Sequence, residues 1–461
     1  MKDHESIHIP ESPMQTEQGR EELYLYSLKK MANLNADKNR IQLTNLYGMK
    51  AFLFKGNECF RQFPKNNYAL IRMDIYRFKT VNEFCGRHEG DKLLRFIADC
   101  FHNYESESTV AGHYRADIFA LLVPYQKDQD LIDIVSDINQ RIAAYPLPCK
   151  ILPAFGICKM EENMDISLLS DYADLALQGI KGKVFAYYTF YDKKMRETLL
   201  YEKKIENEIA GAIKSGEIKV YIQPKVDMRN RRIIGGEALV RWDHPEDGLI
   251  GPNTFVPVLE KSGDIIDLDL YVWEKVLKTL REWKQRGLHL VPISINVSRL
   301  HTYQTDFIAI LNQLTRAYQI SPELIPLEVT ESVFTEDSMH IFESIRQLQQ
   351  DGFRFSMDDF GSGYSSLNML KEEPVDEVKI DRSFLKDIES RKCQVVVKNV
   401  IAMIRELGID LIAEGVENAN QAEFLINYGC TRAQGFYYYK PMPIEEFTKL
   451  LEQKQGTCNN K

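Results

Sequence analysis

The chain has 461 residues, too many for one typical domain and enough for two or three. Its composition is that of a soluble globular protein, and a formal net charge of −9 argues against binding a nucleic-acid polymer through a broad basic surface. No run of about 18 uncharged apolar residues occurs, so no membrane span is expected, and the polar opening lacks the apolar core of a signal peptide; the expectation is a cytoplasmic protein.

In chain order, residues 1 to about 19 are polar and aperiodic, which predicts disorder. Residues 20–38 fit a short amphipathic helix, either a docking helix or a dimerising signal helix. A first globular domain is expected over residues 39–192. Its strand signals are Tyr68–Asp74, Ile118–Val123 and Leu152–Cys158, and helical patterns lie near Glu89–His102 and Leu131–Ala144. Helix and strand alternating in a small domain point to an α/β sandwich. A charged helix is predicted over 193–214, with Leu199, Leu200, Ile205, Ile209 and Ile213 at near-helical spacing, joining this domain to the next. The 8 cysteines form no CxxC pair and no zinc spacing, as expected of free thiols in a reducing compartment.

The second domain is expected over residues 215–461. Eight short apolar runs there each carry or end in a polar residue: Tyr221-Ile222-Gln223-Pro224, Gly236-Glu237-Ala238-Leu239, Ile293-Ser294-Ile295-Asn296, Pro326-Leu327-Glu328-Val329, Phe355-Ser356-Met357-Asp358-Asp359, Glu377-Val378-Lys379-Ile380, Leu411-Ile412-Ala413-Glu414 and Arg432-Ala433-Gln434-Gly435. Amphipathic helices are predicted between them at Gly263–Arg286, Thr305–Gln319, Ser338–Gln350, Lys392–Leu407 and Asn420–Tyr428. This alternation over about 240 residues matches one (β/α)8 barrel with its chemistry at one rim. Only a short polar turn, 227–232, separates the first two runs. A parallel crossover needs about a dozen residues, so those two strands should be antiparallel.

The collected donors are mostly carboxylates, a set suited to divalent metal acting on phosphate. Adjacent Asp358 and Asp359 would point to opposite faces of a regular strand, but Gly361 and Gly363 can break it and let them converge on two ions about 3.5–4 Å apart. Lys379 among the acids could hold a water or offset developing charge, or pair with Asp381. Arg241 could grip a phosphate or form a rim salt bridge. Gln223 and Gln434 could read a base edge or ribose, or cap backbone in the barrel mouth.

Glu237-Ala238-Leu239-Val240-Arg241-Trp242 resembles the signature of EAL domains, which are cyclic di-GMP phosphodiesterases. Further motifs follow in order across the second domain: Asn296-Val297-Ser298, Glu328-Val329-Thr330-Glu331, Asp358-Asp359-Phe360-Gly361, Lys379-Ile380-Asp381-Arg382, Glu414-Gly415-Val416-Glu417 and Gln434-Gly435-Phe436. The resemblance implies a barrel with one antiparallel strand and a site for two Mg2+ or Mn2+ ions on Glu237, Asn296, Glu328, Asp358, Asp359 and Glu414. It implies Lys379 as a catalytic residue alongside Glu237 and Glu414, with Gln223, Leu239, Arg241 and Gln434 on the substrate. Glu331 would steady the loop after Asp359, with Glu417 in support. It also implies pairing into a homodimer near that loop, and a role in biofilm formation or motility. The rival from another class is a non-catalytic cyclic di-GMP receptor or interaction scaffold.

The first domain is similar to GGDEF domains, the diguanylate cyclases, through Met73-Asp74 to Asn82, Gly90-Asp91 and 173–177. Its signature is degraded: Arg115-Ala116-Asp117-Ile118-Phe119 stands where the family has Gly-Gly-Asp-Glu-Phe. Two side chains crowd the phosphate approach and one acid is lost, so cyclase activity is not expected. Asp74 and Asp117 match the family's metal acids, Asn82 and Asp91 its guanine-reading positions, and Lys79 and Lys181 its phosphate contacts. Two readings stand, inherited scaffold and GTP binding without cyclisation that tunes the phosphodiesterase through 193–214.

Overall fold

The computed structural model describes residues 40–458 other than 163, 184–185, 304–305, 331–337, 362–369 and 371–374. The expected N-terminal segments, Glu331, Gly363 and the dimer-pairing loop after Asp359 lie outside the described residues. The chain divides into two units at Leu200 and Tyr201.

In the first unit, strand β1 (Asn67–Ile75) lies at the centre of a five-stranded sheet. The others are β2 (Val110–Arg115), β3 (Ile118–Tyr125), β4 (Pro153–Lys159) and β5 (Tyr188–Phe190), in the order β2-β3-β1-β4-β5. Alternation along β1 splits the core in two. Ala69, Ile71 and Met73 pack with the helices Arg87–His102 and Asp128–Ala143, whereas Tyr68 and Leu70 pack with Met49–Gln62 and Ile166–Ile180. The unit is therefore an α/β sandwich with helices on both faces of the sheet. The two helices on the Tyr68 face and the edge strands β2 and β5 were not among the predicted elements. Cys59, Cys85, Cys100, Cys149, Cys158, Cys393 and Cys430 are free, and the thiols of Cys85 and Cys149 lie 3.6 Å apart.

In the second unit, the eight apolar runs become the eight strands of a barrel. These are β6 (Ile218–Asp227), β7 (Arg232–His244), β9 (Ile293–Asn296), β10 (Leu327–Thr330), β11 (Phe355–Phe360), β12 (Glu377–Ile380), β13 (Asp410–Ala413) and β14 (Arg432–Ala433), while the short β8 (Gly248–Ile250) extends β7 as an antiparallel hairpin. Strands β7 and β9 to β14 pair in parallel, while β6 closes the ring antiparallel to both β7 and β14. The short turn at 227–232 thus makes the antiparallel pair that its length requires. The five predicted helices form at Ile265–Gln285, Phe307–Tyr318, Ser338–Gln350, Arg391–Glu406 and Ala419–Asn427. Two more, Pro252–Ser262 and Ile444–Cys458, were not predicted.

The helix Lys193–Ser215 buries Ile205, Ile209 and Ala212 against Trp242 and Phe255 of the barrel unit. Leu199 and Leu200 are exposed and Ile213 is only half-buried, so the apolar stripe differs from the one read by spacing: the buried positions, Ile205, Ile209 and Ala212, lie in the second half of the helix.

Candidate active site

Parallel strands that lean into a closed ring bring their C-terminal ends together, and each run contributes its polar residue there. Lys379 of β12 is fully buried at the centre. Its ammonium lies 3.1 Å from Glu237, 2.6 Å from Glu328, 3.0 Å from Asp358 and 2.7 Å from Glu414. The alternative pairing of Lys379 with Asp381 does not form. Asp381 instead caps the turn after β12, accepting from the Ser383 amide at 2.9 Å.

Two overlapping triads, Glu237 with Glu328 and Asp358, and Asp358 with Asp359 and Glu414, each present carboxylate oxygens within 4.8 Å of one another. The adjacent aspartates converge because Asp359 itself takes a left-handed backbone, φ 55°, at a register shift between β11 and β12. Gly361 continues the break at φ 91°, where a Cβ would strike the Phe384 ring. Asn296, at the end of β9, donates to Glu237 at 3.4 Å. Such an all-oxygen cage, whose five carboxylates one central ammonium offsets only in part, fits hard divalent cations.

Electrostatics follow the crowding. Burial, then the neighbouring Glu328, raises the Glu237 carboxyl. Burial lifts Glu414 to about 8 despite Lys379, with Asp358 and Glu237 adding to the rise. Burial and then Asp358 raise Asp359. Glu328 is the exception: burial opposes its charge, but Lys225 and Lys379 together hold its carboxyl well below the usual range.

Gln434 follows β14 and donates to Glu237 at 2.6 Å and to Gln223 at 3.0 Å. Gln223 passes the chain on to the Tyr439 carbonyl at 3.2 Å. The two glutamines thus brace Glu237, and Gln434 keeps one buried oxygen without a partner. Gly435 is required beside it, since a Cβ would lie 2.2 Å from the Val416 carbonyl.

A cleft of about 480 Å³ opens over the cage, lined by Gln223, Glu237, Leu239, Asp358, Asp359, Glu414, Glu417 and Gln434. Asn253, Asp381, Arg382 and the exposed Phe436 line it too; none was read from sequence as lining the site, Asp381 having been weighed only as a partner for Lys379. Of these, Asp381, Arg382 and Phe436 stood inside motifs already read. A second cavity of about 540 Å³ meets the cage at Glu237, Asn296 and Glu328 and shares Leu239 as a wall. Arg241 lines neither; its guanidinium donates to the Val240 carbonyl at 2.8 Å and sits over the Tyr221 ring. Lys225, two residues after Gln223 on the same inward face, was also missed and bonds Glu328 at 2.8 Å.

In the first unit, Asp74 ends up buried beneath Lys181, whose ammonium pairs with it, and one Asp74 oxygen has no partner. Asp117 accepts from the Ile75 amide at 3.1 Å, and burial followed by the nearby Asp74 raises its carboxyl. Ala116 holds φ 48° in the turn between β2 and β3, a conformation suited to the glycine it replaces. Asn82 packs its side-chain oxygen against Gly90, next to Asp91. Lys79 is exposed and pairs with Glu83 at 3.8 Å.

Residues 206–441 match the family model for the EAL domain, and residues 42–185 match that for the diguanylate cyclase, GGDEF domain. The first match spans half of the chain, which belongs to the EAL domain family and carries a GGDEF domain in tandem before it. The chain is 31% identical over 386 residues to the bifunctional diguanylate cyclase/cyclic di-GMP phosphodiesterase MucR of Pseudomonas aeruginosa, covering 82% of this chain and 56% of that protein. It is 28% identical over 395 residues to the cyclic di-GMP phosphodiesterase PdeR of Escherichia coli, covering 84% and 59%. The chain spans about half the length of the curated relatives it matches. Among solved structures, the PaMucR phosphodiesterase in complex with c-di-GMP aligns at 35% identity and a TM-score of 0.51, over 53% of this chain and 99% of that one. No helix among the described residues is long and apolar enough to cross a membrane.

Proposed function

We propose that the barrel is a metal-dependent phosphodiesterase that opens cyclic di-GMP to linear pGpG, and that the domain before it does not cyclise GTP. The observation that carries the first part is the pair of overlapping carboxylate triads around Lys379, set beneath an open cleft. Glu237, Asn296, Glu328, Asp358, Asp359 and Glu414 would hold two Mg2+ or Mn2+ ions. Bound there, such ions would supply the Lewis-acid charge that activates a water and stabilises the leaving oxygen.

The chain's own residues do the rest. Gln434 and Asn296 fix the Glu237 carboxylate from two sides. Lys379 supplies a fixed positive charge at the centre of the acids, where charge grows on the phosphate. Leu239 and Phe436 offer apolar surface at the cleft for a base, and Arg241 would have to swing from Val240 to reach a phosphate. Hydrolysis adds water across one P–O bond, and the released 3′-oxygen takes a proton.

In this reading the domains run over 39–192 and 215–461, with 193–214 between them, and the protein pairs as a homodimer through its barrels. Asp74, Asp117, Lys79, Lys181, Asn82 and Asp91 would bind GTP as a regulator. The orphaned oxygen on buried Asp74 favours a cation there, while Ala116 and Ile118 argue against catalysis. The test is an assay with labelled cyclic di-GMP and with GTP, each with and without Mg2+. The expected outcome is metal-dependent pGpG, abolished by Glu237→Ala or Asp358→Asn, and no product from GTP. Full turnover by either variant would sink the reading, and binding without turnover in the wild type would sink it in favour of a receptor.

A further inference from the structure

We propose that Lys225 is a positioning residue for this site, one that grips Glu328 from the far end of the barrel. The inference rests on Glu328 being a metal ligand, as read above.

Strand β6 is the one that runs against the others. Along it the chain therefore descends from the mouth: Gln223 is level with Glu237, and Lys225 lies one layer lower, level with Gly235. From there its ammonium reaches one Glu328 oxygen at 2.8 Å and Glu377 at 3.4 Å. The other Glu328 oxygen faces Lys379 at 2.6 Å. Glu328 is fully enclosed, so its two oxygens are divided between two ammonium groups, one from each end of the barrel. Lys225 occupies the lower oxygen and thereby directs the upper one into the cage.

Lys225 does not touch the reacting region. It lines neither cavity that meets Glu237, but a separate one of about 280 Å³ at the opposite end, with Ser294, Ser356 and Glu377. Enclosing an ammonium is unfavourable before pairing, and an apolar side chain would fill a barrel layer without that penalty. The charge is thus better explained by what it does to Glu328 than by packing. Removing such an outer partner of a metal-binding carboxylate weakens metal binding by about 10–100-fold.

The test uses the full chain as wild type, Lys225→Met and Lys225→Arg. Mn2+ affinity is measured by the electron paramagnetic resonance of free Mn2+, folding by circular dichroism, and hydrolysis of cyclic di-GMP as a function of Mn2+. Lys225→Met should weaken Mn2+ binding by about tenfold or more and raise the Mn2+ needed for half-maximal hydrolysis by the same factor. KM for cyclic di-GMP at saturating Mn2+ should stay within about twofold, since uniform substrate binding is untouched. Lys225→Arg should recover most of the Mn2+ affinity, which a purely packing role would not require. Wild-type Mn2+ affinity in a folded Lys225→Met overturns the proposal. If that variant does not fold, Lys225→Gln is measured instead, and failure of both neutral variants to fold makes Lys225 structural and also overturns it. A wild type that binds Mn2+ without hydrolysing cyclic di-GMP refutes the phosphodiesterase reading and leaves this inference standing; one that binds no Mn2+ ends both.

Discussion

Each unit sets a lysine against acids, and the two arrangements differ in enclosure. In the barrel, Lys379 is buried and touches four carboxylates carried by four different strands or strand ends. In the sandwich, Lys181 remains 43% exposed and pairs, among the described residues, with Asp74, while Asp117 comes from the turn after β2. A closed ring gathers donors from all sides, and its central ammonium makes their mutual repulsion bearable. An open sheet gathers two acids at the end of its central strand and depends on one hairpin for their setting. In the proposed reading, Arg115, Ala116 and Ile118 in that hairpin remove the cyclase chemistry, while the Ala116 backbone keeps a left-handed path, φ 48°.

The sharpest way to break this contrast is Lys379→Met. It should lower hydrolysis by about 10²–10³-fold, as loss of a positioned charge does. It should also cost the metal-free protein about 3–5 kcal/mol, because buried carboxylates lose their counter-charge. Rates and denaturant unfolding, with and without Mg2+, test both parts. Lys181→Met should cost less stability, and equal losses would erase the distinction. Next in size, Gln434→Leu should reduce kcat/KM by about 10–100-fold by releasing Glu237, with the fold intact by circular dichroism. Unchanged kinetics would reduce Gln434 to a spacer.

For the sandwich, GTP with Mg2+ at a hundredfold excess over its Kd should raise stability by about 2.7 kcal/mol, and Asp74→Asn should remove the effect. A thermal-unfolding series settles it: no shift, together with unchanged hydrolysis, leaves inherited scaffold. The smallest expected effect is Ala116→Gly, which relieves a left-handed alanine and should stabilise by about 0.5–1 kcal/mol in equilibrium unfolding. It should not restore cyclisation, since Ile118 still stands where an acid is needed. Destabilisation would mean that the turn is not strained.

Much of this molecule is legible in its sequence. The order of the eight polar runs, the helices between Gly263 and Tyr428, and the antiparallel start at 227–232 all follow from periodicity and from the length a crossover needs. Less legible were the short helix Pro252–Ser262, which carries Pro257 inside it, and β2, whose apolar run is brief. Lys225 carried no flag, because its meaning depends on Glu328, which only closure of the ring brings within reach.

What the sequence determined by itself is the chemistry on offer and its order: one donor-bearing run per strand, acids outnumbering cations, and Arg115-Ala116-Asp117-Ile118-Phe119 in the first domain. Tertiary structure decided the partners. Lys379 meets Glu237, Glu328, Asp358 and Glu414 instead of Asp381, and Gln434 grips Glu237. Asp359 joins Asp358 only through its left-handed backbone. The physical reason is that alternation along a strand assigns each side chain a face, but which faces meet, and at what height, is set only when strands pair in register and the ring closes.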